Sequence, residues 1–394
     1  MCDEAMGFEA MKKCIFPDSF KKQRPLGSTV LDYPEEKITA ALTLNDVRKS
    51  AKDWETFSSD AVGRVPIPEE TKVRSVRQLP IELDPPAHAK YRNIIEPIFK
   101  RPLESDFQEK LTEQIAALVD SAIEMDSVEV VSQFALPLQS RALALLLNFP
   151  IEESEEWISW GVHIFKGDDT GSLEAKAAVE FDEYVEKQID RVIKSPGKDI
   201  VSYLLSSEVD GRKLSREEVT GFVNLIFAGG RDTVINIVTN IIAYFSDNPE
   251  SLEHLKDHSG LVSTATEEFV RYFSPLTHLG RVATKDVRLC NDHVKEGDRV
   301  SLCWASANRD ENKFVDPDQI KLDRVPNPHV GFGFGNHSCI GATHARQIMR
   351  TLIPILAAKV KAIEINDFDE YLENVGKIKR KIGFTKLQAK FIPR

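Results

Sequence analysis

The sequence predicts a mainly α-helical fold with a smaller β-rich part. From residue 88 to about 275, apolar residues recur at helical spacing, and beyond Pro275 the pattern changes to alternation. The 394 residues contain no Gly/Ser/Pro-rich linker, no block of like charge and no fixed-period repeat. One domain over 1–394 is therefore expected, helix-rich at about 88–275 and mixed or β-rich at about 30–60 and 281–394.

Taken in order, residues 37–43 read as a short strand and 44–52 as a helix, whereas 60–84, rich in Pro, Arg and Glu, read as a loop. A break between two helices is expected at 166–172. The capping box Ser215-Arg216-Glu217-Glu218 opens an apolar segment that runs without proline to Asp247, where Asn248-Pro249 stops it. This predicts one helix of roughly thirty residues, two to three times the usual length, which suits a central buried helix. Residues 281–290 and 299–304 read as strands joined through Glu296-Gly297-Asp298, 342–358 as an amphipathic helix, and 361–365 and 389–392 as closing strands.

With 42% apolar and 29% charged residues, the chain can bury a large core and is neither disordered nor fibrous. Its 51 Lys and Arg against 62 Asp and Glu leave a formal charge of −11, which argues against nucleic acid as the main partner, because phosphate neutralisation needs a basic face. Residues 1–22 carry Asp3, Glu4, Glu9, Lys12 and Lys13 with no apolar run, so no signal peptide or membrane anchor is expected there. Apolar segments such as 142–149 and 352–358 fall short of the roughly 18 residues that span a bilayer, and no membrane association is expected. Cys2, Cys14, Cys290, Cys303 and Cys339 are odd in number and lack CxxC spacing, which reads as a reduced, cytoplasmic chain.

Residues 332–341, Phe-Gly-Phe-Gly-Asn-His-Ser-Cys-Ile-Gly, place Cys339 in a glycine-rich turn just before a helix. Backbone N–H groups and the helix dipole there favour a thiolate, so a metal ligand is one reading. A small buried hydrophobe is the other. A dinucleotide fingerprint starting at Gly331 fails at Asn336, and no Lys-Ser/Thr follows for a phosphate loop. Inside the long helix, Gly229-Gly230-Arg231-Asp232-Thr233-Val234 puts two glycines where each costs about 1 kcal/mol relative to alanine, so close helix packing or a function must offset them. Glu268 and Arg271 share a helix face at i, i+3, a pairing worth only a few tenths of a kcal/mol if exposed.

The loop at 332–341 resembles the haem-binding loop of the cytochrome P-450 family, Phe-Gly-x-Gly-x-His/Arg-x-Cys-x-Gly, with every fixed position filled. The resemblance extends from about Trp54 to Phe391 and is poor before Leu44. It implies the cytochrome P-450 fold of a soluble bacterial member, with haem b held by Cys339 as axial thiolate and framed by Phe332, Gly333 and Gly341. His88, Arg92, Arg281 and His337 stand at family positions facing the haem propionates. Asp232 and Thr233 match the acid–alcohol pair that delivers protons to bound dioxygen, Gly229 leaves room for it, and Val234 departs from the usual Thr/Ser. Glu268, Arg271 and Arg324 match a structural cluster near the haem.

The activity implied is insertion of one oxygen atom from O2 into a small organic molecule, with electrons from NAD(P)H through a ferredoxin and a ferredoxin reductase. Leu225, Ala228, Gly229, Arg77, Ile81 and His278 fall on segments that line the family's substrate cavity. The polar cluster Arg74, Arg77, Gln78 and His278 suggests hydroxylation or O-demethylation of a methoxy compound or methylated sugar. Lys90, Lys100, Arg101, Arg346 and Arg350 are expected to form a local basic patch for an acidic ferredoxin. A haem-thiolate gas sensor or a peroxide-using haem enzyme is the alternative, and neither has need of Asp232 and Thr233.

Overall fold

A computed structural model describes residues 15–71, 74, 76–161 and 174–394, with the backbone alone at 174–178. About 49% of the chain is helical, so helices dominate as the sequence predicts. The expected break at 166–172 lies outside the described residues.

The chain enters through the antiparallel pair β1 (Ser28–Asp32) and β2 (Lys37–Ala41), with Ser28 opposite Ala41. Thr43 then caps α1 (Leu44–Lys52) by accepting the Asp46 N–H at 3.2 Å, and Leu44, Val47 and Ala51 give α1 its buried face. After β3 (Phe57–Ser58), the described residues up to Pro86 form turns and coil.

The helical part begins with α2 (Ala87–Lys100) and α3 (Ser105–Glu124). A two-residue strand β4 (Val128–Glu129) precedes α4 (Leu136–Leu147) and the short α5 (Glu153–Ser159). Then follow α6 (Glu174–Lys194), α7 (Ile200–Ser206) and a small hairpin, β5 (Glu208–Val209) with β6 (Arg212–Lys213).

Ser215 and Glu218 form the expected capping box, the Glu218 N–H reaching Ser215 Oγ at 3.2 Å and the Ser215 N–H reaching Glu218 Oε2 at 2.7 Å. The long helix they open is not continuous. It comprises α8 (Arg216–Gly230) and α9 (Asp232–Asp247), interrupted at Arg231, whose φ and ψ are −98° and −75°. Beyond Asn248 come α10 (Glu250–Asp257) and α11 (Val262–Phe273).

The β-rich part adds β7 (His278–Ala283), the hairpin β8 (Val287–Leu289) with β9 (Asp292–Val294), and β10 (Arg299–Cys303), followed by one turn of helix, α12 (Trp304–Ala307). The predicted strand at 281–290 is thus two strands, and β7 starts earlier. The sheet order is β1-β2-β10-β7-β3, with β10 parallel to β2 and antiparallel to β7, so that Cys303 lies opposite His278. Finally α13 (Ala342–Lys359) leads into β11 (Val360–Val375) and β12 (Ile378–Pro393), a hairpin much longer than the two short strands expected.

The core gathers buried side chains from α3, α4, α9 and α13, including Phe107, Leu143, Ile241 and Leu352. Two helical stretches, Val130–Leu147 and Arg216–Asp247, are long and apolar enough to cross a membrane, contrary to the sequence expectation based on short apolar segments. They lie in the core, with 78% and 67% of their most apolar windows buried.

Candidate functional site

The loop before α13 is shaped by its own backbone. The Cys339 N–H donates to Phe332 O at 2.7 Å, closing the turn, and Gly333 sits at φ +70°, a conformation that favours glycine. Gly335, at φ +75°, lets α1 approach: a Cβ there would stand 2.9 Å from Ala51 O. Phe332 lies under the Arg346 guanidinium, whose carbon is 4.4 Å from the ring centre. A Cβ on Gly341 would stand 3.8 Å from Cys339 Sγ, an ordinary contact distance, so this glycine is adjacent to the thiol without being required by packing.

Among the described residues Cys339 is the exposed cysteine; Cys303 is buried and Cys290 intermediate. The thiol is accessible at the surface yet closely surrounded by protein. That surround raises the thiol pKa, opposed by the N–H of Gly341, by Arg92 and Arg346, and by the N–H of Ala342. Burial thus outweighs the backbone effect on which the thiolate expectation relied, and a bound metal would have to supply the remaining driving force for deprotonation. The loop also borders an open cleft of about 400 Å³ shared with Glu267, His329 and Arg346.

Four residues distant in sequence converge beside this loop. The His88 and His337 rings lie 4.2 Å apart, and Arg92 Nη1 reaches Asn336 O at 3.5 Å. Arg281 is 2% exposed and bonds the carbonyl of neighbouring Gly280 at 2.6 Å. Among the described residues no carboxylate comes within ion-pair distance of Arg92 or Arg281, and His337 Nε2 is buried without a partner. Burial and then neighbouring cations push His88 down to about 4 and His337 to about 2; burial lowers Arg281 to about 10. Donors and cations so placed fit an anionic ligand, and a flat group with two carboxylates would satisfy them.

Leu225, Ala228, Gly229, Asp232 and Thr233 share one face across the α8–α9 break, and all are at least partly exposed although the flanking helix is buried. A Cβ on Gly229 would meet nothing within 4 Å, so close helix packing does not account for this glycine. The Gly229 carbonyl accepts the Thr233 hydroxyl at 3.0 Å, and the Gly230 carbonyl accepts Gln139 Nε2 at 3.1 Å.

Glu268 and Arg271, both 0% exposed, bond through two contacts of 2.8 Å, and Arg324 Nε adds bonds of 2.9 and 3.0 Å. Asn327 Nδ2 and the Lys321 N–H complete the carboxylate at 3.2 and 2.8 Å. The neighbouring Glu267 binds Arg346 at 2.8 Å, His329 at 3.1 Å and Arg350 at 3.3 Å. Although burial opposes it, the His329 and Arg346 bonds hold Glu267 down at about 2.

The residues of the polar substrate wall expected from the sequence are engaged by the protein itself. Arg74 bonds Glu70 at 2.5 Å and the fully buried Glu82, while Arg77 is engaged by Asp60 and the Glu82 carbonyl. His278 is 4% exposed with Nδ1 2.9 Å from Ser301 Oγ, facing the sheet. Each of the three thus has a protein partner among the described residues. Ile81 is partly buried in the same loop. The expected basic patch is similarly engaged: Lys90 pairs with Asp210, Lys100 with Glu96, Arg346 and Arg350 with Glu267, and Arg101 bonds Leu146 O. Gln139 and Asn224 escaped the sequence reading because no local pattern marks them, and Arg231 was read only as a member of the double-glycine motif.

These features can be set beside known proteins. A profile of the family described as Cytochrome P450 matches residues 172–358. Cytochrome P450 109 of Bacillus spizizenii is 30% identical over 304 residues, 75% of this chain and 75% of that protein. Linalool 8-monooxygenase of Pseudomonas putida is 31% identical over 291 residues, 72% and 71% of the two chains. A solved structure of a carbohydrate-active P450 matches with a TM-score of 0.94 at 51% identity, covering 98% of this chain and 100% of that one. Proteins of this family bind haem b through a cysteine thiolate, and their activity is monooxygenation. Identity at this level across three quarters of the sequence, joined to a near-complete structural match, establishes that the chain belongs to the cytochrome P450 family.

Proposed function

We propose that the protein is a haem-thiolate monooxygenase, folded as one catalytic domain in the cytoplasm, that hydroxylates or O-demethylates a small, oxygen-rich organic substrate. NAD(P)H supplies the electrons through a ferredoxin and its reductase. The observation that carries this reading is Cys339, exposed, in a loop beside the buried Arg281 and the half-buried Arg92, which no described carboxylate neutralises. Cys339 would hold the iron, and Phe332, Gly333 and Gly341 would border the ring. His88, Arg92, Arg281 and His337 would take the two propionates. When bound, the haem supplies the activation of O2 and the oxidising power.

The rest is done by this chain. Gly229 leaves space on the face opened by the helix break, and Leu225, Ala228 and Ile81 furnish apolar wall. Thr233 holds its proton against the Gly229 carbonyl, and Asp232 precedes it as the acid from which that proton is replaced. Glu268, Arg271 and Arg324 hold structure and touch no substrate. A gas sensor or a peroxide-using enzyme would have no need of the acid–alcohol pair.

The substrate class rests on 51% identity to a structure described as a carbohydrate-active P450. It is supported by Asn224, whose buried Oδ1 on α8 has no partner among the described residues, one turn before Ala228. For a methyl ether, one O2, one NADH and one proton would give the free alcohol, formaldehyde, water and NAD+. Methylated hexoses, fatty acids and terpenes should be titrated for a haem spin-state shift, with formaldehyde then measured against NADH. A shift with methylated hexoses and matched formaldehyde is expected; a shift with terpenes or fatty acids alone would overturn the substrate reading. Thr233→Ala should retain binding while diverting NADH to peroxide, and unchanged coupling would remove Thr233 from proton delivery.

A further inference from the structure

Arg231 stands at the one position between α8 and α9 that belongs to neither helix. It is 1% exposed, and a buried guanidinium is costly unless its donors are satisfied. Its Nη2 donates to Trp157 O at 2.6 Å, in the last turn of α5, and also to Gly161 O, two residues beyond that helix. Trp157 O is available because the Gly161 N–H, its regular helical donor four residues on, turns instead to Ile158 O at 3.0 Å. The Arg231 carbonyl starts α9 by accepting the N–H groups of Val234 and Ile235, both at 3.1 Å. From the other side, Gln139 on α4 holds Gly230 O. The break is therefore tied on two flanks, by a side chain reaching out to α5 and by one reaching in from α4.

We propose that Arg231 is a positioning residue: anchored on the Trp157 and Gly161 carbonyls, it fixes the α8–α9 break and so sets where Thr233 Oγ1 and Gly229 O stand on the open helix face. This rests on the monooxygenase reading for its consequence, though not for its geometry. Two glycines let the helix open, but they do not choose the direction in which it opens. The bonds of Arg231 and Gln139 do. Without the arginine the break would lose its anchor beside α5, and Thr233 Oγ1 and Gly229 O would shift together with the backbone that carries them.

The test compares Arg231→Lys, Arg231→Ala and Gln139→Leu with the parent as haem-loaded protein. Amide hydrogen exchange over residues 229–236 should change about tenfold in Arg231→Ala, as expected for losing a hydrogen bond from a charged group. Arg231→Lys, which keeps the charge but not the fork, should lie between. The C–O stretching band of the reduced CO complex should shift or broaden in the same order, because it reads groups near the iron without any organic substrate. A lowered melting temperature with parent-like exchange and C–O band would make Arg231 merely structural and overturn the proposal. If Arg231→Ala does not fold, parent-like exchange in both Arg231→Lys and Gln139→Leu would overturn it equally. A parent protein without the thiolate-type CO spectrum would defeat the functional reading instead, while the exchange data would still decide whether Arg231 fixes the break.

Discussion

Two clusters built around buried arginines differ in one respect. Around Glu268, the chain supplies a carboxylate for Arg271 and Arg324, and Asn327 and the Lys321 N–H fill its remaining lone pairs. Around Arg281, it brings together His88, Arg92 and His337 with no described carboxylate in ion-pair reach. A buried charge satisfied from within is architecture; one left unsatisfied specifies a ligand of opposite charge. The second cluster borders the Cys339 loop, whereas the first ties α11 to the segment before it.

This contrast can be broken most forcefully at Glu268. Glu268→Gln keeps the shape but leaves Arg271 and Arg324 buried without a counter-charge, so stability should fall by about 3–5 kcal/mol in haem-free and haem-loaded protein alike. Urea denaturation of both forms checks this. Arg281→Leu should behave differently. Haem-free protein should be unchanged or slightly more stable, while haem affinity falls roughly tenfold or more for a lost charge-assisted bond. Equal destabilisation of the haem-free protein by both variants would erase the distinction.

A smaller effect should appear in the pH dependence. An unfolded histidine titrates near 6.5, whereas in the folded chain burial, then neighbouring cations, lowers His88 to about 4 and His337 to about 2. Below pH 6.5 the unfolded chain therefore takes up protons that the folded chain refuses, and stability falls as pH drops through about 4. His278 and His344, also pushed down to about 4 chiefly by burial, add to this loss. The urea midpoint of haem-free protein should decline between pH 6.5 and 4, and less so in His88→Ala/His337→Ala. An identical decline in the double variant would locate the acid sensitivity elsewhere.

What could be read in the sequence was local. The capping box at Ser215, the helix at 44–52 and the Cys339 loop each lie within about ten residues, and local pattern carried the reading. The β11–β12 hairpin was under-read because register shifts, as between Ile365 and Asp367, interrupt its alternation. The helix break was missed because Gln139 and Trp157, 91 and 74 residues from their partners, help set it. The partners of Arg77 and His278 were not legible for the same reason: Asp60, Glu82 and Ser301 reach them through the fold. The thiol of Cys339 was expected to ionise on local grounds, but the surrounding protein raises its pKa.

The central claim is that Cys339 holds a haem iron as its thiolate. The most direct measurement is the absorption spectrum of the reduced, CO-bound holoenzyme beside that of Cys339→Ala. The account predicts the strongly red-shifted Soret band of thiolate ligation in the parent and its loss in the variant. A histidine-type spectrum in the parent, or the red-shifted band surviving in Cys339→Ala, would contradict it.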